Sequence, residues 1–434
     1  MPRSLPNTGA ITGFGEALAF FRNPTFAQER FETHGDVFET TLIGQRLIFI
    51  RGEEAIGDLF RQADAVEGWW PESVKRLLGS RSLANRNGEA HKARRRVVGQ
   101  LFSNAALQRY SPAIVHQVNT LTQDLCSASK PVALAERMRR FAFAVIASTV
   151  LGLDDQDREA LFGDFEIWTK ALFSVPVAIP GTPFARALAA RERLLNRLKH
   201  VLSRADDSRG GLDLIRGGLD EVGIPLSDDD MVEQLLLLLF AGYETTASSL
   251  SCLMRELLLH PDVEVWLREE TSSLVWPPAA VEATTAFDAP RAPRLNALVQ
   301  EVMRMTPPVG GFFRRTTRAI TLAGVQIPAG RVIQVALAAS NRHGPGDLEV
   351  FRPSRHLNVD PTGPTLMPFG GGERVCLGKA LAELEIRLMV VGLLQQVELQ
   401  LNPGQDLSLQ LVPSPSPRDG LQVLAREAQG AAGH

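Results

Sequence analysis

The chain has 434 residues, 44% of them hydrophobic and 22% charged, with a formal net charge of −3. That composition excludes a disordered or coiled-coil chain, and the nearly balanced charge gives no reason to expect a nucleic-acid binder. The three cysteines, Cys126, Cys252 and Cys376, make no disulfide framework, which suits a reducing compartment.

In chain order, the first signal is alternation of apolar and polar residues over Asp36–Leu42 and Arg46–Ile50, with Gly44-Gln45 between them, which predicts a β-hairpin. Apolar residues at three- and four-residue spacing then predict helices over Ser103–Leu125, Val132–Leu151, Phe184–Leu202 and Asp228–Leu259. Ser227 is the expected N-cap of the last of these. Acids follow it in the first turn, and His260-Pro261 ends the helix. Pro277–Pro293 reads as an irregular connection. β-rich patches follow at Ile320–Val335, at Val397–Leu411 and at Leu421–Leu424. The expectation is a mainly α protein with minor β, in which strands from both ends of the chain share one domain over 1–427. Residues 428–434 form a short flexible tail. Residues 1–20 lack the basic and apolar segments of a signal peptide. No continuous run reaches the ~18 apolar residues that span a bilayer. A soluble cytoplasmic protein is expected, with at most peripheral membrane contact.

The strongest chemical signal is Phe369-Gly-Gly-Gly-Glu-Arg374-Val-Cys376-Leu-Gly378. Its glycines allow a tight turn, and Cys376 precedes a run with apolar Leu377, Leu381, Leu384, Leu388 and Val391 on one helical face. A cysteine near a helix N-terminus and close to Arg374 is favoured as thiolate, hence as a nucleophile or a metal ligand. The histidines are scattered, which excludes a protein-only zinc site.

Phe369, Gly372, Arg374, Cys376 and Gly378 together resemble the haem-thiolate loop of the cytochrome P-450 monooxygenases. The resemblance runs over almost the whole chain. It implies a helical bundle around haem b (iron protoporphyrin IX) with a small β-rich region, and Cys376 as the axial ligand of the haem iron. Glu301-x-x-Arg304 resembles the family's buried structural pair, with Arg355 in Phe351–His356 as the third member. The family usually has an aromatic residue where His356 stands, and its connection corresponding to His343–Phe351 is a few residues longer. Ala241-Gly242-Tyr243-Glu244-Thr245-Thr246 places an acid and a threonine in mid-helix. That is either a kink with a capped polar pair or, by resemblance, the oxygen-activation site. In the second case Glu244 feeds protons through water, Thr245 hydrogen-bonds the oxygen being activated, Ala241 lies against the haem, and Gly242 lets a neighbour approach the helix. His91 and Arg95 share one helical face and, with Arg314 and Arg374, resemble the cations that hold the haem propionates. Phe369, Gly370 and Gly378 would lie along the haem. Lys92, Arg94 and Arg96 read either as a solvated face or as a docking face for an acidic electron-transfer protein.

No dinucleotide-binding motif is present, so electrons would come from a separate ferredoxin and ferredoxin reductase or an equivalent donor. Trp70–Gly79, Leu172–Pro180 and Pro307–Gly311 are similar to the retinoic-acid-oxidising branch of animals and cyanobacteria. The resemblance implies an apolar slot lined by Trp70, Phe173, Val309 and Phe312, with Lys75 meeting the carboxylate of a retinoid, apocarotenoid or related terpenoid acid. Core packing is the plainer reading of each aromatic, and a surface position that of Lys75. Phe312 departs from the branch's glycine run and would narrow the slot. Two other readings stand beside the monooxygenase: a peroxide-dependent peroxygenase or fatty-acid hydroxylase, and a non-catalytic haem sensor. The Glu244-Thr245 pair suits neither.

Overall fold

Short strands cluster toward the two ends of the chain, and long helices fill its middle. A computed structural model describes residues 4–9, 13–23, 25–42, 44–204, 210–344, 346–357 and 366–428. The elements are α1 (Phe14–Arg22), α2 (Phe26–His34), β1 (Val37–Leu42), β2 (Gln45–Ile50), α3 (Gly52–Arg61), β3 (Val66–Gly68), α4 (Glu72–Leu78), α5 (Gly88–Gly99), α6 (Asn104–Ser127), β4 (Val132–Ala133), α7 (Leu134–Thr149), α8 (Asp155–Thr169), α9 (Pro183–Arg204) and α10 (Asp228–Leu259). There follow α11 (Pro261–Thr271), α12 (Pro293–Met305), β5 (Phe312–Thr316), β6 (Ile320–Leu322), β7 (Val325–Ile327), β8 (Val332–Val335), α13 (Leu337–Ser340), α14 (Lys379–Gln396), β9 (Val397–Leu401), β10 (Leu409–Gln410), β11 (Ser416–Pro417) and β12 (Gln422–Glu427).

The chain forms two compact units. The first comprises Met1–Trp70, Met303–Arg352 and Asn358–Cys376, and the second Pro71–Val302, Pro353–Leu357 and Leu377–His434. The first unit is built on a five-stranded sheet of order β1-β2-β8-β5-β3. The expected hairpin supplies β1 and β2, paired antiparallel with Leu42 opposite Gln45. Distant sequence then joins it: β8 runs parallel to β2, and β5 antiparallel to β8 with Arg314 opposite Ile333. Alternation along the strands sends Ile48, Ile50, Ile333 and Val335 to one face, packed with Ile56 and Leu59 of α3. Phe38, Phe49 and Val332 pack with Phe26 and Phe31 of α2 in a separate cluster.

The second unit is helical around α10. The Ser227 hydroxyl accepts from the Asp230 N–H at 3.2 Å, as an N-cap should, and the helix stops before Pro261. α10 packs against α7, α9 and α14, so it is apolar nearly all round and buried along most of its length. Among the described residues it is the one helix long and apolar enough to cross a membrane, and 72% of its most apolar window is buried inside the protein. Of the segment expected to be helical from Val132, the first two residues instead pair as β4 with β12. Ala428 still donates to the Gln396 carbonyl at 3.0 Å, and 429–434 lie outside the described residues.

Candidate active site

In the first unit the glycine-rich loop turns on Gly370 and Gly372, both in the left-handed region at φ 69° and 65°. It closes when the Cys376 N–H donates to the Phe369 carbonyl at 2.9 Å. The Phe60 ring packs against Gly371 and Gly372, filling the room their missing side chains leave. Cys376 is exposed at the end of this loop, with Gly378 capping α14 two residues on.

Arg314, on β5, is half-buried. Burial, and then the charge of Arg374, push its guanidinium down to about 10. Its Nη1 donates to the neighbouring Phe313 carbonyl at 2.7 Å, and the guanidinium stands 4.5 Å over the Phe312 ring. Phe312 also meets Phe60, with ring centroids 6.3 Å apart. Arg374 lies across Gly68 of β3, where a Cβ would crowd its guanidinium. Two guanidiniums thus sit together in the unit that carries Cys376, a donor set suited to carboxylates.

In the second unit the middle of α10 carries Ala241, which is exposed, and Thr245, which is half-buried. The Thr245 hydroxyl donates back to the Ala241 carbonyl at 2.6 Å, the backward hydrogen bond expected of threonine in a helix. The close approach that Gly242 permits is made by Ile146 of α7. Glu244 is buried. Burial pushes its carboxyl above the ordinary range, opposed by the Arg139 charge. Tyr243 beside it packs edge-on against Phe143 and Phe165. One acid here escaped the sequence reading. Glu385 of α14 is fully buried, and burial pushes it up to about 8, partly offset by a hydrogen bond with Thr246. Its only sequence signal is a carboxylate on an otherwise buried helical face.

On α5, His91 is buried, Arg95 half-buried, and Lys92 and Arg96 exposed. Arg94 corrects the reading of a solvated or docking face. It is 3% exposed, paired with Asp230 at 3.3 Å and with Glu221. The helical repeat turns position 94 inward toward acids that the sequence places far away.

Glu301 has 0% exposure. Its Oε1 accepts from Arg355 Nε at 3.0 Å, and its Oε2 lies 2.8 Å from His356 Nε2. His356, where an aromatic residue was expected, therefore engages the second carboxylate oxygen. Arg304, one turn on from Glu301 and buried, donates to the carbonyls of Asn341 at 3.1 Å and Leu348 at 2.7 Å in the first unit. The short connection before Phe351 is tied down by this arginine.

The expected slot residues fall in both units. Trp70 meets Phe313 edge-on at 6.5 Å, and Val309 is 42% exposed. In the second unit Lys75 is half-buried on α4, and Phe173 is 43% exposed, followed by exposed Val175, Val177 and Ile179.

Comparison with known proteins agrees with this geometry. The family model described as Cytochrome P450 matches residues 2–416. A putative cytochrome P450 120 of Synechocystis sp. is 33% identical, with 96% of each chain covered. Human cytochrome P450 26C1 is 31% identical, covering 94% of this chain and 86% of its own. Among solved structures, a retinoic acid-bound cyanobacterial CYP120A1 matches with a TM-score of 0.89 and 31% identity, over 99% of this chain and 100% of its own.

Proposed function

The chain belongs to the cytochrome P450 family of haem-thiolate monooxygenases, and from that premise we propose the roles of its residues. When bound, a haem would supply the means to activate O2, so that with two electrons and two protons from outside one oxygen atom enters a C–H bond and the other leaves as water. The residues present fit such a group. Arg314 and Arg374, both half-buried, bring two positive charges together, a setting that an anionic group with two carboxylates would suit. Among the described residues no three His, Cys, Asp or Glu side chains gather to hold a metal ion. Cys376 would supply the thiolate that such a group takes from the protein.

In this reading Cys376 supplies the thiolate. Arg314, Arg374, His91 and Arg95 would hold the propionates, and Phe369, Gly370, Gly378 and Ala241 would contact the group. Glu244 moves protons inward. Thr245 turns the hydroxyl now resting on the Ala241 carbonyl toward the reacting oxygen. Glu301, Arg304, Arg355 and His356 are structural. The observation that carries the assignment is the exposed Cys376 at the end of a closed glycine loop, in the unit that holds the paired guanidiniums. Cys376→Ser tests it. The variant should lose the red-shifted carbon-monoxide difference band of a thiolate-ligated haem, and retention of that band would sink the assignment.

The substrate is an apolar acid of the retinoid or apocarotenoid class. Support comes from the retinoic acid-bound structure that matches the whole chain, from the stretches around Trp70, Phe173 and Val309, and from half-buried Lys75. Electrons come from a ferredoxin and its reductase in the cytoplasm, in keeping with three free cysteines. Titration with retinoic acid should shift the haem spin state, and product should form with a ferredoxin system. A spectrum indifferent to retinoids would remove this substrate class.

A further inference from the structure

α4 is only seven residues long, too short to hold a helical shape alone. Its final carbonyls need partners, and they find them on other helices. The Leu77 carbonyl accepts from Trp168 Nε1 of α8 at 3.1 Å and from Arg191 Nε of α9 at 2.8 Å. Arg191 turns its Nη2 to Glu233 Oε1 of α10 at 2.5 Å, and the other Glu233 oxygen takes the Arg81 N–H at 2.8 Å. Gln234 continues the line, accepting from the Leu83 N–H at 2.7 Å and donating to the Arg81 carbonyl at 2.9 Å. Asn85 Nδ2 closes the loop on the carbonyls of Lys75 at 3.0 Å and Gly79 at 2.7 Å. Gly79 is at φ 92°, and a Cβ there would overlap both the Arg191 guanidinium and the Glu233 carboxylate.

The segment from α4 to residue 85 is thus gripped at one buried point by residues of three helices. An apolar pair of similar volume would fill that point at similar stability. What an arginine fork adds is direction, because it holds a carboxylate and a carbonyl at once only in one relative placement of α4, α9 and α10. We propose that Arg191 and Glu233 are positioning residues for substrate. Their clasp fixes α4 to α9 and α10, so that the stretch carrying Lys75 stays in the place from which it binds an apolar ligand. The inference rests on the reading of Trp70–Gly79 as a substrate-facing stretch.

The test uses the haem-loaded enzyme. Arg191→Ala alone leaves a carboxylate buried without its cation and is prone to unfold. Arg191→Met with Glu233→Gln instead removes both charges and keeps an oxygen for the Arg81 N–H. Retinoic acid, retinol and palmitic acid are compared as probes. The double variant should keep the thiolate band and a melting midpoint near wild type. Its KM for every probe should rise about tenfold with kcat within twofold, and deuterium uptake at amides 77–83 should quicken. Arg191→Lys, which keeps the charge and loses the fork, should fall between. A purely structural clasp would leave KM unchanged in the double variant, and that result overturns the proposal whether or not exchange quickens. Lys75→Ala separates the two ideas, since loss of Lys75 weakens only the acids whereas loss of the clasp weakens all three probes. Failure of wild type to bind either retinoid sinks the retinoid reading and leaves the clasp to be judged on palmitic acid.

Discussion

Two arginines, one in each unit, illustrate what a buried charge can mean. Arg191 has its answer inside the chain, a carboxylate at 2.5 Å and a carbonyl at 2.8 Å. Arg314 has beside it another arginine, and burial and that like charge push it down to about 10. A charge matched by the fold is architecture. A charge that the fold sets beside its own kind favours an anion there. The acids divide in the same way. Glu301 is matched by Arg355 and His356, whereas for Glu385 a threonine hydroxyl only partly offsets burial.

The comparison can be broken most severely at Glu301. Removing one partner of a buried pair costs about 3–5 kcal/mol, so Glu301→Ala should accumulate without haem or not at all. A folded, haem-loaded Glu301→Ala enzyme with normal turnover would end its structural role.

Glu385 should behave in the opposite sense. Its folded-state value is raised from 4.5 to about 8, so between those values the folded protein keeps a proton that the unfolded chain gives up. Its contribution to stability is full below the ordinary value and falls by about 1.4 kcal/mol per pH unit as pH climbs toward the raised one. Glu385→Gln should therefore melt higher than wild type at pH 8, with the gap closing toward pH 5. A gap that does not change with pH would show that the carboxyl is matched after all.

At Arg314 the haem-free protein and the haem-loaded one should part company. Arg314→Ala relieves the like-charge contact with Arg374, so the haem-free variant should melt no lower than wild type. A charge-assisted hydrogen bond is worth about 1.5–3 kcal/mol, so haem transfer to apomyoglobin should run about tenfold faster or more. A variant that destabilises the haem-free protein and leaves haem transfer unchanged would make Arg314 another Arg191.

The smallest effect belongs to Lys75, which is half-buried. Lys75→Ala should weaken retinoic acid by about tenfold, roughly 1.4 kcal/mol, and leave retinol unchanged. Equal losses for the two would return Lys75 to the surface.

Much of this was legible before folding. The hairpin at 37–50, the long helix from Asp228 with its serine cap, and the cysteine loop are local patterns in which neighbouring residues carry the whole signal. Arg94 was not legible that way, because its partners Asp230 and Glu221 lie more than 120 positions away. His356 was seen as a departure from a family pattern, but its hydrogen bond to Glu301 depends on where a loop 55 residues on comes to rest. Gly242 was rightly taken to admit a neighbour, and only packing could name Ile146.

The sequence by itself determined the elements, the family and the chemical class of the site. Those depend on periodicity, capping and a ten-residue loop, all of which act over a few residues of chain. Tertiary structure decided which charges are answered and which are left opposed. Burial and electrostatic pairing depend on distances across space: Arg191 comes to the end of α4 from 114 residues away, and Glu385 loses its solvent because α14 packs on α10. No pattern along the chain encodes those distances, and they turn ordinary arginines and glutamates into a clasp, a buried ion pair, two neighbouring guanidiniums and a buried acid.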